Sequence, residues 1–266
     1  TAHEKDITIQ LLPNPSHLET VDPIVAGFAR AKADILYENN YSKVLPILLH
    51  GDAAVAGQGI VYECLQMSKL EGYNVGGTIH FVINNQIGFT TDFEDARSSD
   101  YCTSIAAMVQ APVLHVNGDD VEAVVRAAIF AIEYRQKFKQ DVFIDMVCYR
   151  KNGHNEGDEP KFTQPKLYAL IDKHPNPREQ YTQYLIANGT PDAQAMAKEM
   201  ETVYWEELQA RLDEIKQNQL PYKYQEPEQA WADLKRAKTQ DFEQSPVTAI
   251  DADRAKDIFS QIMNWP

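Results

Sequence analysis

The stretch His50-Gly51-Asp52-Ala53-Ala54-Val55-Ala56-Gly57-Gln58-Gly59 carries residue types suited to holding a phosphorylated ligand. Small side chains at Ala53 and Ala54 permit close backbone approach. The helix expected next, through Val61, Cys64, Leu65 and Met67, offers unsatisfied N–H groups and a positive dipole end to a diphosphate. The carboxylate of Asp52 conflicts with such a ligand, because it would repel a diphosphate unless a cation lay between them. That conflict predicts a divalent metal. Magnesium takes about six oxygen ligands, usually one carboxylate with neutral oxygens, water and phosphate oxygens. A neutral donor should therefore stand nearby, and Asn84-Asn85-Gln86-Ile87-Gly88 follows the next apolar run. In a parallel sheet the carboxyl ends of neighbouring strands share one edge, so Asp52 and Asn85 can converge on one ion.

The elements that must position these residues follow from periodicity. Short runs rich in Val and Ile alternate with helical periodicity through the first 150 or so residues, the pattern of an α/β fold with a parallel sheet covered by helices on both faces. Candidate strands are Ile7 to Leu12, Val44 to His50, Thr78 to Asn84, Val113 to Val116 and Val142 to Tyr149. Asp22 is expected to cap a helix with Pro23 at its first position, and Asp119 or Asp120 to cap the series Val121, Val124, Val125, Ala128, Ile129, Ile132. Beyond Gln164 the text turns helical, with Pro177 opening one helix, Asn188-Gly189 closing it, and a polar helix from about Pro191 to Gln217. The expected organisation is an α/β domain over 1–163, a helical extension over 164–219, and an acidic linker with a short helix near Trp265 over 220–266. The chain begins without Met and enters an apolar run almost at once, so it is read as a piece of a longer protein.

Gly51-Asp52-Ala53 followed at a distance by Asn84-Asn85 resembles the thiamine diphosphate fingerprint of transketolases and 2-oxo acid dehydrogenases. Two departures stand out: the usual third glycine is Ala53, and the spacer from Ala54 to Ile83 is slightly long. Two further segments narrow the resemblance. Pro13-Asn14-Pro15-Ser16-His17-Leu18-Glu19 and Tyr149-Arg150-Lys151-Asn152-Gly153-His154-Asn155-Glu156-Gly157-Asp158-Glu159-Pro160 are similar to histidine-bearing loops of the 2-oxoglutarate dehydrogenase decarboxylases. Ile87-Gly88-Phe89-Thr90-Thr91 and Asp95-Ala96-Arg97-Ser98-Ser99 look like the same family.

The resemblance implies thiamine diphosphate and Mg2+ as cofactors, with Asp52, Asn85 and the Ile87 carbonyl on the metal. Gly51, Asp52, Ala53 and Ala54 would line the cofactor, His154 would approach the diphosphate, and His17 would lie beside cofactor and substrate. It also implies decarboxylation of a 2-oxo acid, 2-oxoglutarate or 2-oxoadipate, as in the tricarboxylic acid cycle. The acceptor would be a lipoyl-bearing acyltransferase, the assembly a homodimer, and the aminopyrimidine would be held by a second domain after Pro266, without which this chain is catalytically silent.

Each residue also has an ordinary reading. Asp52 could cap a helix, Asn85 could shape a turn, and His17 and His154 could be solvated surface histidines. His50 reads equally as packing or site, while His80 and His115 read as satisfied strand histidines. A dinucleotide-binding oxidoreductase is weakened by the missing third glycine after Gly57-Gln58-Gly59, since Ile60-Val61-Tyr62 follows. A non-catalytic domain with this fold is disfavoured by Asp52, Asn85, His17 and His154 occurring together.

The net charge of −14 disfavours nucleic acid as a partner. No run of about 18 apolar residues is present to span a membrane. Cys64, Cys102 and Cys148, lacking metal-like spacing, read as reduced thiols of a cytoplasmic or mitochondrial matrix protein, the cytoplasm being preferred.

Overall fold

Two strand sequences, Ile79–Asn84 (β2) and Val142–Val147 (β6), are nearly continuous apolar runs, and that composition suits the middle of a parallel sheet covered on both sides. In the computed structural model, which describes residues 7–217 and 233–264, they occupy that place. With Ile47–Gly51 (β1) and Val113–Asn117 (β5) they form a four-stranded parallel sheet of order β1-β2-β6-β5. The pairs Gly51↔Ile83, Asn84↔Val147 and Asn117↔Val147 bring all four carboxyl ends to one edge. Alternation along β6 separates the two faces. Phe143 packs with Val55, Val61, Leu65, Ile105 and Val109, whereas Val142 and Ile144 pack with Val116 and Ala131.

Helices cover both faces, as the alternating text predicted. Asp22–Leu36 (α1), Asp52–Gly57 (α2) and Gly59–Met67 (α3) precede β2. A two-stranded antiparallel pair, Ile87–Gly88 (β3) and Thr91–Asp92 (β4), then leads into the short helix Phe93–Ala96 (α4). The long helix Val121–Phe138 (α5) joins β5 to β6, and its cap is Asp120, whose side chain accepts from the Ala123 N–H at 2.9 Å. Pro165–Ile171 (α6), Pro177–Ala187 (α7) and Ala193–Gln217 (α8) follow. Asn176 and Glu179 form the capping box that starts α7.

The chain divides into two compact units, residues 1–201 and 202–266; the second includes the helix Ala252–Met263 (α9). The expected linker is outside the described residues as far as position 232, as are Thr1 to Asp6 and the helix end expected at Trp265. Among the described residues, no helix is long and apolar enough to cross a membrane.

Three expectations are corrected. Ile7 to Leu12 is not a strand: it pairs with nothing in either sheet, and Ile9 is 91% exposed. An alternating apolar run becomes a strand only where a ladder and a covering face are available. Asp22 is the first residue of α1 instead of its cap, which is Val21, and it turns inward to a buried position. Asp52 to Gly57, read as a loop before a helix, is itself a six-residue helix that breaks at Gln58 before α3.

One buried cation ties the amino edge of the sheet together. Arg135 on α5 is 0% exposed and forms no ion pair among the described residues, although the Asp141 carboxylate favours its charged form. Its Nε donates to Gly77 O at 2.9 Å, Nη1 to Tyr41 O at 3.1 Å, and Nη2 to Val44 O at 2.8 Å and Val75 O at 2.9 Å. Burial pulls its pKa down to about 10, so it stays charged at neutral pH.

Candidate functional site

Gly51 ends β1 in extended geometry and serves as the N-cap of α2, which puts Asp52 in the first helical turn at the carboxyl edge of the sheet. Asp52 is 2% exposed, and burial pushes its carboxyl above the usual range while the Arg97 guanidinium pulls it back. That ion pair is long, with Arg97 Nη1 at 3.4 Å from Asp52 Oδ2. A carboxylate held out of water with one distant counter-ion retains capacity for a cation.

The second loop comes from β2. Asn85 Oδ1 accepts from the Ile87 N–H at 3.3 Å, so the Asn85 side chain and the Ile87 backbone form one turn unit. Gln86, with φ 66°, donates to Cys148 O at 2.7 Å and ties this turn to the end of β6. Ile87 is buried against Tyr168 and Ile171 of α6, so the first helix of the expected extension is part of what shapes the turn. The turn packs onto the start of α2 so closely that a Cβ placed on Gly88 would stand 2.7 Å from the Ala53 methyl. Thus Asp52, Ala53, Asn85 and Ile87 are brought onto one edge, with Ala54 buried just behind and Gly51 exposed beside them.

His154 arrives from the loop after β6. Its ring meets Phe89 edge-on, with centroids 4.8 Å apart, and its N–H donates to Asp158 Oδ2 at 2.8 Å. Arg150 fastens the two loops by donating to Phe89 O at 2.8 Å and pairing with Asp158 at 3.6 Å. The His154 side chain is exposed, and its loop is joined to the Ile87 loop through Phe89.

His17 lies in the bend that leads into α1, after residues that form no strand. It is exposed, and its carbonyl accepts from the Thr20 hydroxyl at 2.8 Å. What tethers the segment is Glu19, at φ 66°, whose Oε2 lies in hydrogen-bond contact with His50 Nδ1 at 2.6 Å. His50 in turn lies 3.0 Å from His80, which stacks on Phe143 and is held neutral by burial. The tether ends two residues from Asp52, on β1.

Glu19, Asp22 and His50 gather their polar atoms within 4.8 Å of one another. The 2.6 Å contact is a hydrogen bond, shorter than the about 3 Å that two donors keep when both bind an ion at about 2 Å. A proton completes this cluster: burial and Glu19 push the Asp22 carboxyl up to about 7, with His50 opposing. The folded chain therefore keeps this proton up to about pH 7, while an unfolded carboxyl loses it near 3.8. Its stabilising contribution is complete below that lower value and is lost as pH rises through about 7. Asp22→Asn mimics the protonated acid, so the variant should melt above the parent at pH 8, and the gap should close toward pH 4 in a thermal-melt series. A gap that does not change with pH would remove Asp22 as the titrating group.

The remaining polar residues are structural. His115 Nδ1 lies 2.9 Å from Asp145 Oδ2, and Asp145 also accepts from Asn84 Nδ2 at 3.0 Å. The thiols of Cys64, Cys102 and Cys148 are free, with pKa values raised to about 11, 12 and 11 by burial, so they are poor nucleophiles. Arg97, Glu19, Phe89 and Arg150 were not assigned roles from the sequence. All four lie within segments already quoted for their motifs or beside them, and proximity to Asp52, His17 or His154 was the signal available.

Comparison with known proteins identifies the family. The family described as dehydrogenase E1 component matches residues 2–224. The chain is 45% identical over 271 residues to the 2-oxoglutarate dehydrogenase E1 component of Rickettsia felis, covering 100% of this chain and 26% of that protein. It is 56% identical over 187 residues to the protein of the same name from Haemophilus influenzae, covering 70% of this chain and 20% of that one. Over 189 residues it is 56% identical to the multifunctional 2-oxoglutarate metabolism enzyme of Mycolicibacterium vanbaalenii, covering 70% of this chain and 15% of that one. The chain thus spans about a quarter or less of the length of these relatives. With the parallel sheet, its loop-bearing carboxyl edge and a family match over most of its length, the chain belongs to the dehydrogenase E1 component family.

Proposed function

We propose that this chain forms the diphosphate- and magnesium-binding part of a thiamine diphosphate-dependent decarboxylase of 2-oxoglutarate, with a lipoyl group on an acyltransferase partner receiving the succinyl product. The observation that carries this reading is the buried Asp52 carboxylate, short of counter-charge, with the Asn85–Ile87 turn packed against its helix. One carboxylate, one amide oxygen and one backbone carbonyl are a hard-oxygen donor set suited to magnesium. Asp52, Asn85 and the Ile87 carbonyl would hold that ion.

When bound, thiamine diphosphate supplies the electron sink for carbon dioxide loss. The chain's own residues bind and orient. Ala53 and Ala54 keep the backbone close to the diphosphate. His154, whose ring packs on Phe89 in a loop that Arg150 fastens, would donate a hydrogen bond to it. His17, held near the end of β1 through Glu19 and His50, faces the substrate and supplies or takes a proton at its carbonyl oxygen. The working assembly is a dimer in which a further domain holds the aminopyrimidine, in the bacterial cytoplasm or the mitochondrial matrix. Residues 1–163 serve as the cofactor-binding domain, 164–219 as its helical extension and 220–266 as the lead into that further domain.

The test is carbon dioxide release from 2-oxoglutarate by the full-length protein, with thiamine diphosphate and magnesium each present or omitted. Release is expected only with both. Equal release without either would refute the reading. Within the same assay, His17→Ala should lower turnover by about tenfold or more, the loss of one hydrogen bond to a charged group, with little change in cofactor affinity. Loss of affinity in step with turnover would place His17 on the cofactor instead.

A further inference from the structure

Arg97 follows α4 in extended geometry, and its guanidinium is held against the Phe93 ring at 5.5 Å from the centroid. Its side chain is only 9% exposed. A buried guanidinium ordinarily engages its five donors, as Arg135 does against four backbone carbonyls. Arg97 has the single long contact to Asp52, and its buried Nε–H has no hydrogen-bond partner. Two features thus coincide at one place. The Asp52 carboxylate is incompletely neutralised, and the cation beside it carries a buried donor with no acceptor.

Resting on the cofactor reading above, we propose that Arg97 is an exchangeable counter-charge: it neutralises Asp52 while that carboxylate holds no metal, and it donates to diphosphate oxygens once a divalent cation takes Asp52. The reason is electrostatic. A guanidinium and a divalent cation on one carboxylate repel each other, so Arg97 opposes entry of bare metal. A metal that arrives with an anionic diphosphate gives Arg97 a new partner, and planar N–H donors suit phosphate oxygens. The residue therefore acts in opposite directions on the two ligands. It discriminates against metal alone and favours metal with diphosphate.

The test uses the full-length protein and two binding measurements independent of turnover. Free Mn2+ is titrated by electron paramagnetic resonance without cofactor, and thiamine diphosphate is titrated at saturating Mn2+ by quenching of tryptophan fluorescence. Arg97→Gln should bind Mn2+ alone several-fold more tightly and should bind thiamine diphosphate on the order of tenfold more weakly, as loss of a charge-assisted hydrogen bond implies. Arg97→Lys keeps the charge and loses the fork, so its affinity for Mn2+ alone should stay near the parent's while its affinity for the cofactor falls. A merely structural Arg97 would weaken both ligands together in Arg97→Gln, or move neither, and either result overturns the proposal. Should Arg97→Gln fail to fold, the split in Arg97→Lys decides the matter alone, and a parallel fall in both affinities overturns it. Failure of the parent protein to bind thiamine diphosphate with Mn2+ would instead bring down the cofactor reading, and this inference with it.

Discussion

Asp52→Asn is expected to weaken magnesium-dependent binding of thiamine diphosphate by more than about 100-fold, because even outer partners of metal ligands cost about 10- to 100-fold when removed. The substitution keeps the shape of the side chain and an oxygen for Arg97, and it removes the charge that burial makes costly. The melting temperature should therefore stay close to the parent's while the cofactor is lost. Asp52→Ala should lose the cofactor as completely, with an added penalty from leaving the Arg97 guanidinium buried without an oxygen partner. The measurement is a cofactor titration followed by fluorescence, with a thermal melt on the same samples. Binding within a factor of two of the parent in Asp52→Asn would remove this residue from the metal site.

Arg135→Ala should destabilise the fold by about 3–5 kcal/mol, because several buried carbonyls lose their donor at about 1–3 kcal/mol each. Its guanidinium is the donor for carbonyls of Tyr41, Val44, Val75 and Gly77, which come from the segments entering β1 and β2. Truncation leaves those oxygens dry and unpaired, and it opens a cavity beside Ala131. Arg135→Lys should recover little, since one ammonium cannot reach four carbonyls spread over a planar fork. Urea unfolding of the two variants beside the parent would show this as a lower midpoint. A midpoint shift below about 1 kcal/mol equivalent in the alanine variant would mean that water replaces the guanidinium.

The sheet was legible because its central strands are nearly continuous apolar runs and because the loops that follow the strands carry polar residues. Asp52 and Asn85 could be placed on one edge from register alone. Ile7 to Leu12 misled because its pattern was that of a strand, and a pattern says nothing about whether a partner exists. The short helix at Asp52 was missed because small residues suit a tight loop and a helix equally. Glu19 and Arg97 could not be assigned from spacing, since each acts across the fold, on His50 and on Asp52 respectively. The same holds for α6, whose Tyr168 and Ile171 shape the Ile87 turn although the local text reads only as a helix outside the α/β part.

The close approach of the Ala53 methyl to Gly88 means that the gap between the two loops holds a single carbon substituent. Ala53 fills it, so Gly88 is left bare. A chain with glycine at position 53 would release that volume to position 88. The departure at Ala53 from the usual glycine therefore settles which loop contributes one methyl: the space admits Ala with Gly or Gly with Ala, and Ala at both would force the loops apart.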